Sequence, residues 1–209
     1  MDLYRTPFIL PLLFPKLVWR MPESGRILYL TFDDGPVPGP TEFVLETLST
    51  YGVKATFFCI GDNVRKHPDI FRKVVERGHS IGNHTFNHLN GWKTPVKEYE
   101  KNVRECSSRI EKETGISPVM FRPPYGKISR AQVRSLSEFR IVMWDVLTYD
   151  FEARITPEAC HSNSVRATRE GSIVIFHDSY KAERNMRYVL PRYVEHFLEE
   201  GYTFSPLSL

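Results

Sequence analysis

Ile27-Leu28-Tyr29-Leu30-Thr31-Phe32-Asp33-Asp34-Gly35-Pro36 is the stretch on which the fold turns. The apolar run 27–32 reads as a strand, and two carboxylates followed by Gly and Pro close it. From there the hydrophobic period alternates. Phe43, Val44, Thr47, Leu48 and Tyr51 make a helical stripe that starts after Pro40 and stops at Gly52. Residues 55–60 read as the next strand, 68–77 as a helix stopped by Gly78, and 79–82 as a short extended piece. Val96, Tyr99, Val103, Cys106 and Ile110 then mark the clearest helix, opened by Thr94-Pro95 and ended by Gly115. Strands at 119–121, 141–145, 172–176 and 202–204 alternate with helices at 129–138, 156–169 and 190–200. About seven strands separated by helices imply right-handed crossovers and a parallel sheet, either open and doubly wound or closed into a barrel.

Both arrangements place active sites at the carboxyl ends of strands. Asp33 and Asp34 follow the first strand, His84 the third, Arg122 the fourth, Asp145 and Asp150 the fifth and His177 the sixth. Independent chemistry-bearing residues on one face make chance a poor account. His84 and His88 are four residues apart, so on one helical turn both imidazoles face a common ion. A carboxylate completes the open three-ligand site used by catalytic zinc, and the adjacent carboxylate is left as a base.

Five ordered segments carry a resemblance. Thr31-Phe32-Asp33-Asp34-Gly35-Pro36, His84-Thr85-Phe86-Asn87-His88, Arg122-Pro123-Pro124-Tyr125-Gly126, residues 144–151 and Ile175-Phe176-His177-Asp178 resemble the motifs of the polysaccharide deacetylase family, carbohydrate esterase family 4 or the NodB-homology domain. The resemblance runs from about residue 26 to the C-terminus. It implies a single α/β domain built as a distorted (β/α) barrel, and removal of N-acetyl groups from N-acetylglucosamine-containing glycans such as peptidoglycan or chitin-like oligosaccharides. By the same resemblance Asp34, His84 and His88 hold a divalent metal, zinc before cobalt or nickel, and Asp33 takes the proton of water. The Tyr125 backbone N–H helps to receive the oxyanion, and His177 protonates the leaving amine. Asp150 orients His177, with Asp145 a local competitor, and Arg122 pairs with Asp33. Pro124, Tyr125, Trp144, Phe151 and Ile175 line the substrate site. The family usually has Trp where this chain has Phe151, which keeps an aromatic face but loses the indole N–H.

The chain's 209 residues carry a formal net charge of +3 from intermixed basic and acidic groups, which names no partner. No basic stripe interleaved with aromatics or binding motif points to nucleic acid. Cys59, Cys106 and Cys160 are odd in number and widely spaced, so no disulfide framework is expected. Residues 1–25 are expected to form an arm packed on the 26–209 catalytic domain, with membrane-surface attachment through the apolar 8–14 as the alternative. Broken by Pro7, Pro11 and Pro15, that segment reads neither as a signal peptide nor as a membrane span. The chain is therefore expected to be cytoplasmic, with an envelope-associated site as the alternative, and monomeric.

Three rival functions deserve weight. Gly78-His79-Ser80-Ile81-Gly82 matches the Gly-x-Ser-x-Gly nucleophile elbow, but an elbow needs a strand before the serine and a helix after it, the reverse of the order here. A relative of the same fold acting on a non-sugar amide would use the same groups. A non-catalytic sugar-binding relative would not need the full catalytic set, which is present.

Overall fold

The computed structural model describes residues 3–22 and 25–209. In chain order these form α1 (Ile9–Leu13), β1 (Ile27–Asp33), α2 (Pro40–Thr50), β2 (Thr56–Cys59), α3 (Gly61–Lys66), α4 (Pro68–Glu76), β3 (Ser80–Asn83), α5 (Val96–Thr114), β4 (Met120–Phe121), α6 (Arg130–Ser135), β5 (Arg140–Ile141), β6 (Val146–Leu147), α7 (Pro157–Ala167), β7 (Ile173–His177), α8 (Glu183–Glu199) and β8 (Thr203–Phe204). Among the described residues the strands run β5-β4-β3-β2-β1-β7-β6, all parallel, and β8 pairs with the start of β1. This is the distorted (β/α) barrel that the alternation and the resemblance imply. The expected strand at 141–145 is not formed as such: β5 ends at Ile141, β6 begins at Val146, and the two do not pair with each other.

Residues of the N-terminal segment lie across that opening. Val18 N–H donates to the Ile141 carbonyl (2.9 Å) and the Val18 carbonyl accepts from Met143 N–H (2.7 Å). Thr6 N–H reaches the Asp145 carbonyl, and Leu147 N–H reaches the Tyr4 carbonyl. Backbone groups on the two open edges, otherwise unpaired, are thereby satisfied.

Side-chain alternation sorts the sheet into two faces. Leu28, Leu30 and Phe32 of β1 pack outward with Phe57, Val174 and Phe176 beneath the helices. Phe32 stacks on Phe57 and Phe176 at centroid distances of 5.0 and 6.0 Å, and each fully buried phenyl contributes about 1.5–3 kcal/mol. The opposite parity faces the barrel interior, where Tyr29, Phe58, Met120, Val142 and Ile173 form a second cluster. Gly82 is where Phe58 lies against the β3 backbone, and a Cβ there would overlap the ring. Continuing the inward parity to the strand ends delivers Asp33, His84, Arg122 and His177 to one mouth.

The helices differ from the sequence reading in several places, and α1 and α3 are additional to those expected. α8 begins at Glu183, ahead of the expected 190, because Met186, Val189, Leu190, Tyr193, Val194 and Phe197 continue one buried stripe straight through Pro191. His84 and His88 do not share a helical turn. They flank a loop after β3 in which Thr85 (φ 62°) and His88 (φ 56°) take left-handed conformations, and this reversal brings the two rings to a centroid distance of 5.1 Å.

Candidate active site

The His84–His88 loop is held by asparagines. Asn83 Oδ1 accepts from Thr85 N–H (2.8 Å), and Asn83 Nδ2 donates to the Val103 carbonyl and Ser107 Oγ on α5. Asn102, also on α5, accepts from the backbone N–H groups of Phe86 and Asn87 and donates to Asn87 Oδ1. Sequence reasoning did not select Asn102. Its signal was available: it is a polar residue on the stripe that also carries Tyr99, Val103 and Cys106.

Asp34, His84 and His88 each turn one ligand atom into a common space, all within 4.8 Å of one another. Asp34 Oδ1 is 3.2 Å from His88 Nε2 and 3.7 Å from His84 Nε2. It is buried yet makes no hydrogen bond of acceptable geometry, the condition of an oxygen whose partner is a cation. His84 Nδ1 lies 2.8 Å from the Arg122 carbonyl, which only accepts, so the proton sits on Nδ1 and the Nε2 lone pair faces the cluster. Burial pulls His84 down to about 4, keeping the imidazole neutral. Burial would raise Asp34, but the adjacent His88 and the His177 charge outweigh it and hold this carboxyl well below the usual range. A neutral His84 imidazole and an ionised Asp34 carboxylate are the forms that bind a divalent ion, and with the His88 ring nitrogen beside them these residues fit one.

Asp33 points into the barrel beside this cluster. Its Oδ1 accepts from the Arg122 guanidinium (2.7 Å), and Oδ2 is 3.9 Å from His84 Nε2. Arg122 is fully buried; it also donates to Thr31 Oγ1 and to the Val142 and Met143 carbonyls, and it lies over the Phe58 ring at 4.1 Å. Burial lowers its pKa and the Asp33 charge opposes that shift.

His177 stands at the end of β7. Asp150 holds it twice, Oδ2 accepting from the backbone N–H and Oδ1 from ring Nδ1, both at 2.7 Å. Burial would depress this histidine, but the Asp150 charge and hydrogen bond, with Asp34 and Asp33 beyond, raise it to about 9. Asp145 is engaged elsewhere, with Arg169 and Ser172, so of the two aspartates it is Asp150 that contacts His177.

The remaining expected residues divide between wall and floor. Tyr125 is exposed, left-handed at φ 61°, with its ring 4.6 Å from that of His88. Trp144 is half-buried, and Phe151 meets His177 edge-on at 4.9 Å. Pro124 is buried behind Tyr125. Ile175 shares the parity of His177 and is buried, 2% exposed, which makes it floor beneath the histidine rather than an open contact surface. Ser80 lies within β3, with α4 before it and no helix directly after, so its backbone is not an elbow. Asp178, to which sequence reasoning gave no role, is buried against Gly35 and Thr41. Burial, eased by Thr41 and reinforced by the Asp34 charge, pushes it up to about 8. Cys59, Cys106 and Cys160 are free and buried.

Barrel, ligand cluster and flanking acid and base groups define a class, the α/β-barrel hydrolases with a place for a metal at the carboxyl edge of the sheet. The chain belongs to the polysaccharide deacetylase family, whose sequence profile matches residues 20–144. A peptidoglycan-N-acetylglucosamine deacetylase of Bacillus cereus is 36% identical over 160 residues, 76% of this chain and 58% of that protein. A second Bacillus cereus protein of the same name is 32% identical over 196 residues, 92% of this chain and 91% of that one. The crystal structure of a peptidoglycan N-acetylglucosamine deacetylase superposes with a TM-score of 0.89 at 29% identity, covering 97% of this chain and 95% of that one. This chain thus spans just over half of the first relative and nearly all of the second. Among the described residues no helix is long and apolar enough to cross a membrane.

Proposed function

We propose that this protein removes acetyl groups from N-acetylglucosamine units of a glycan, peptidoglycan or a chitin-like oligosaccharide, by hydrolysis of the amide. One observation carries the reading: the unpartnered Asp34 Oδ1 faces two imidazole nitrogens, with Asp33 and His177 beside it. Family membership and the named relatives support it. Asp34, His84 and His88 would hold a divalent ion, zinc before cobalt or nickel, and when bound that ion lowers the pKa of a water and polarises the acetyl carbonyl. Asp33, aimed by its hydrogen bond from the Arg122 guanidinium, accepts the water proton. The Tyr125 backbone N–H, by resemblance to the family, donates to the developing oxyanion. His177 gives its proton to the departing amine, and Asp150 fixes its ring so that Nε2 faces the cleft. Trp144, Phe151 and the Tyr125 ring are walls for the sugar.

The test is acetate release from N-acetylglucosamine oligomers, peptidoglycan fragments and small non-sugar amides. A chelator is expected to stop release and zinc to restore it. Release from the small amides alone would replace the glycan reading with that of an amidase on the same fold. Glycan binding with no release would leave a sugar-binding protein.

The pH profile has a stated direction. An acid donates only while protonated, so the rate is expected to fall as pH rises through the His177 pKa, near 9 with its present neighbours. Asp150→Asn removes the largest influence raising it and should move the falling limb to lower pH. An unmoved limb in the variant would assign the titration to another group. The same protonation stabilises the fold: His177's contribution is full below about 6.5, the unfolded value, and is lost as pH rises toward the folded one.

A further inference from the structure

We propose that Asp178 is a positioning residue for the Asp34 carboxylate, holding the turn that aims Asp34 Oδ1 at His84 and His88; this rests on the reading of Asp34 as a metal ligand. Asp178 is 1% exposed and follows the last residue of β7. Among the described residues its hydrogen bonds land on the segment that carries Asp34. Its own N–H donates to the Asp33 carbonyl (3.1 Å). Its Oδ1 accepts from Gly35 N–H (3.0 Å) and its Oδ2 from the Thr41 hydroxyl (2.6 Å). Thr41 Oγ1 in turn accepts from Val37 N–H (2.8 Å). Backbone groups of residues 33 and 35 are thus tied to Asp178, the first through its N–H and the second through its carboxyl, and residue 37 is tied through Thr41, with Asp34 between them.

That turn needs holding. Asp34 has φ 82°, a left-handed conformation that costs a non-glycine residue about 1–3 kcal/mol and persists only where its surroundings impose it. Its Oδ1 makes no hydrogen bond of its own, so the backbone alone directs it. Asn63 Nδ2 supplies a separate tether through the Asp34 carbonyl (2.7 Å). Gly35 carries the reciprocal mark of the contact. It is not among the positive-φ glycines, yet a Cβ there would overlap the Asp178 carboxylate. Space for Asp178, rather than backbone conformation, is what demands glycine at 35.

The experiment measures zinc affinity of the full chain by competition with a chromogenic chelator, which needs no substrate. Asp178→Ala is expected to weaken zinc by about tenfold or more, as loss of an outer-shell partner does. Asp178→Asn keeps an acceptor for Gly35 N–H and still holds Thr41 Oγ1, its amide donating where the carboxyl accepted, and should stay within about threefold of the parent. Gly35→Ala should weaken zinc as Asp178→Ala does. The double variant should be no weaker than Asp178→Ala alone, because the new methyl then has room. Unchanged zinc affinity in folded Asp178→Ala overturns the proposal. Should that variant not fold, Thr41→Val keeps the carboxyl and removes one anchor, and unchanged affinity there overturns it equally. Asp34→Ala, run alongside, separates the two readings: parental affinity in that variant would remove Asp34 as a ligand and overturn the proposal with it, whereas weakened zinc in Asp34→Ala beside unchanged zinc in Asp178→Ala would overturn the role of Asp178 alone.

Discussion

Replacing Asp33 with Asn is expected to lower acetate release by about 10²–10⁴-fold in kcat while leaving zinc affinity near that of the parent, the range associated with loss of a general base. An Asn carbonyl still accepts from the Arg122 guanidinium where Asp33 Oδ1 does now, at 2.7 Å. The amide that replaces Oδ2 has no lone pair for a water proton. The ligand cluster uses Asp34, not Asp33, so metal binding has no reason to fail. Asp34→Asn is the contrast, expected to lose zinc and activity together. Rates at saturating substrate, beside chelator competition, decide between them. Asp33→Asn activity within tenfold of the parent would hand proton acceptance to another group. Loss of zinc in that variant would make Asp33 a ligand.

The chemistry at the strand ends was legible because parallel strands impose a simple rule. A polar residue at or just past the carboxyl end of a strand is delivered to the mouth, and Asp33, His84, Arg122 and His177 are all reached this way. The choice of a barrel over an open sheet came from the resemblance, since strand count and alternation serve both. What stayed hidden was backbone conformation and long-range pairing. Four-residue spacing suggested a helical turn for His84 and His88, whereas left-handed Thr85 and His88 make a loop; neither residue type announces that conformation as glycine would. Asp178 was passed over because nothing beside it in sequence explains it. Its partners Gly35 and Thr41 lie 143 and 137 positions away. The break in the expected strand at 141–145, between β5 and β6, has a similar cause, for its backbone partners come from Thr6 and Val18 on the N-terminal segment as well as from the neighbouring strands.

The largest stability effect should come from Arg122→Leu, expected to destabilise the fold by about 3–5 kcal/mol, the usual cost of breaking a buried ion pair from one side. Two consequences combine. Asp33, only 4% exposed, would be left buried without the guanidinium that now pairs with it. The Val142 and Met143 carbonyls would lose the donors that Arg122 supplies to them in the barrel interior. At roughly 2–4 °C per kcal/mol for a chain of this size, the melting temperature should fall by about 6–20 °C. Pairing Arg122→Leu with Asp33→Asn removes the stranded carboxyl but not the stranded carbonyls, so the double variant should recover part of the loss, not all of it. Urea melts of the four proteins give the coupling energy directly. A loss below about 1 kcal/mol in Arg122→Leu would mean that water enters the barrel mouth to serve both the carboxylate and the carbonyls. Strong destabilisation would tie the site's chemistry to its stability: the cation that aims the base also satisfies the β5 edge, so replacing it would loosen the barrel together with the reaction.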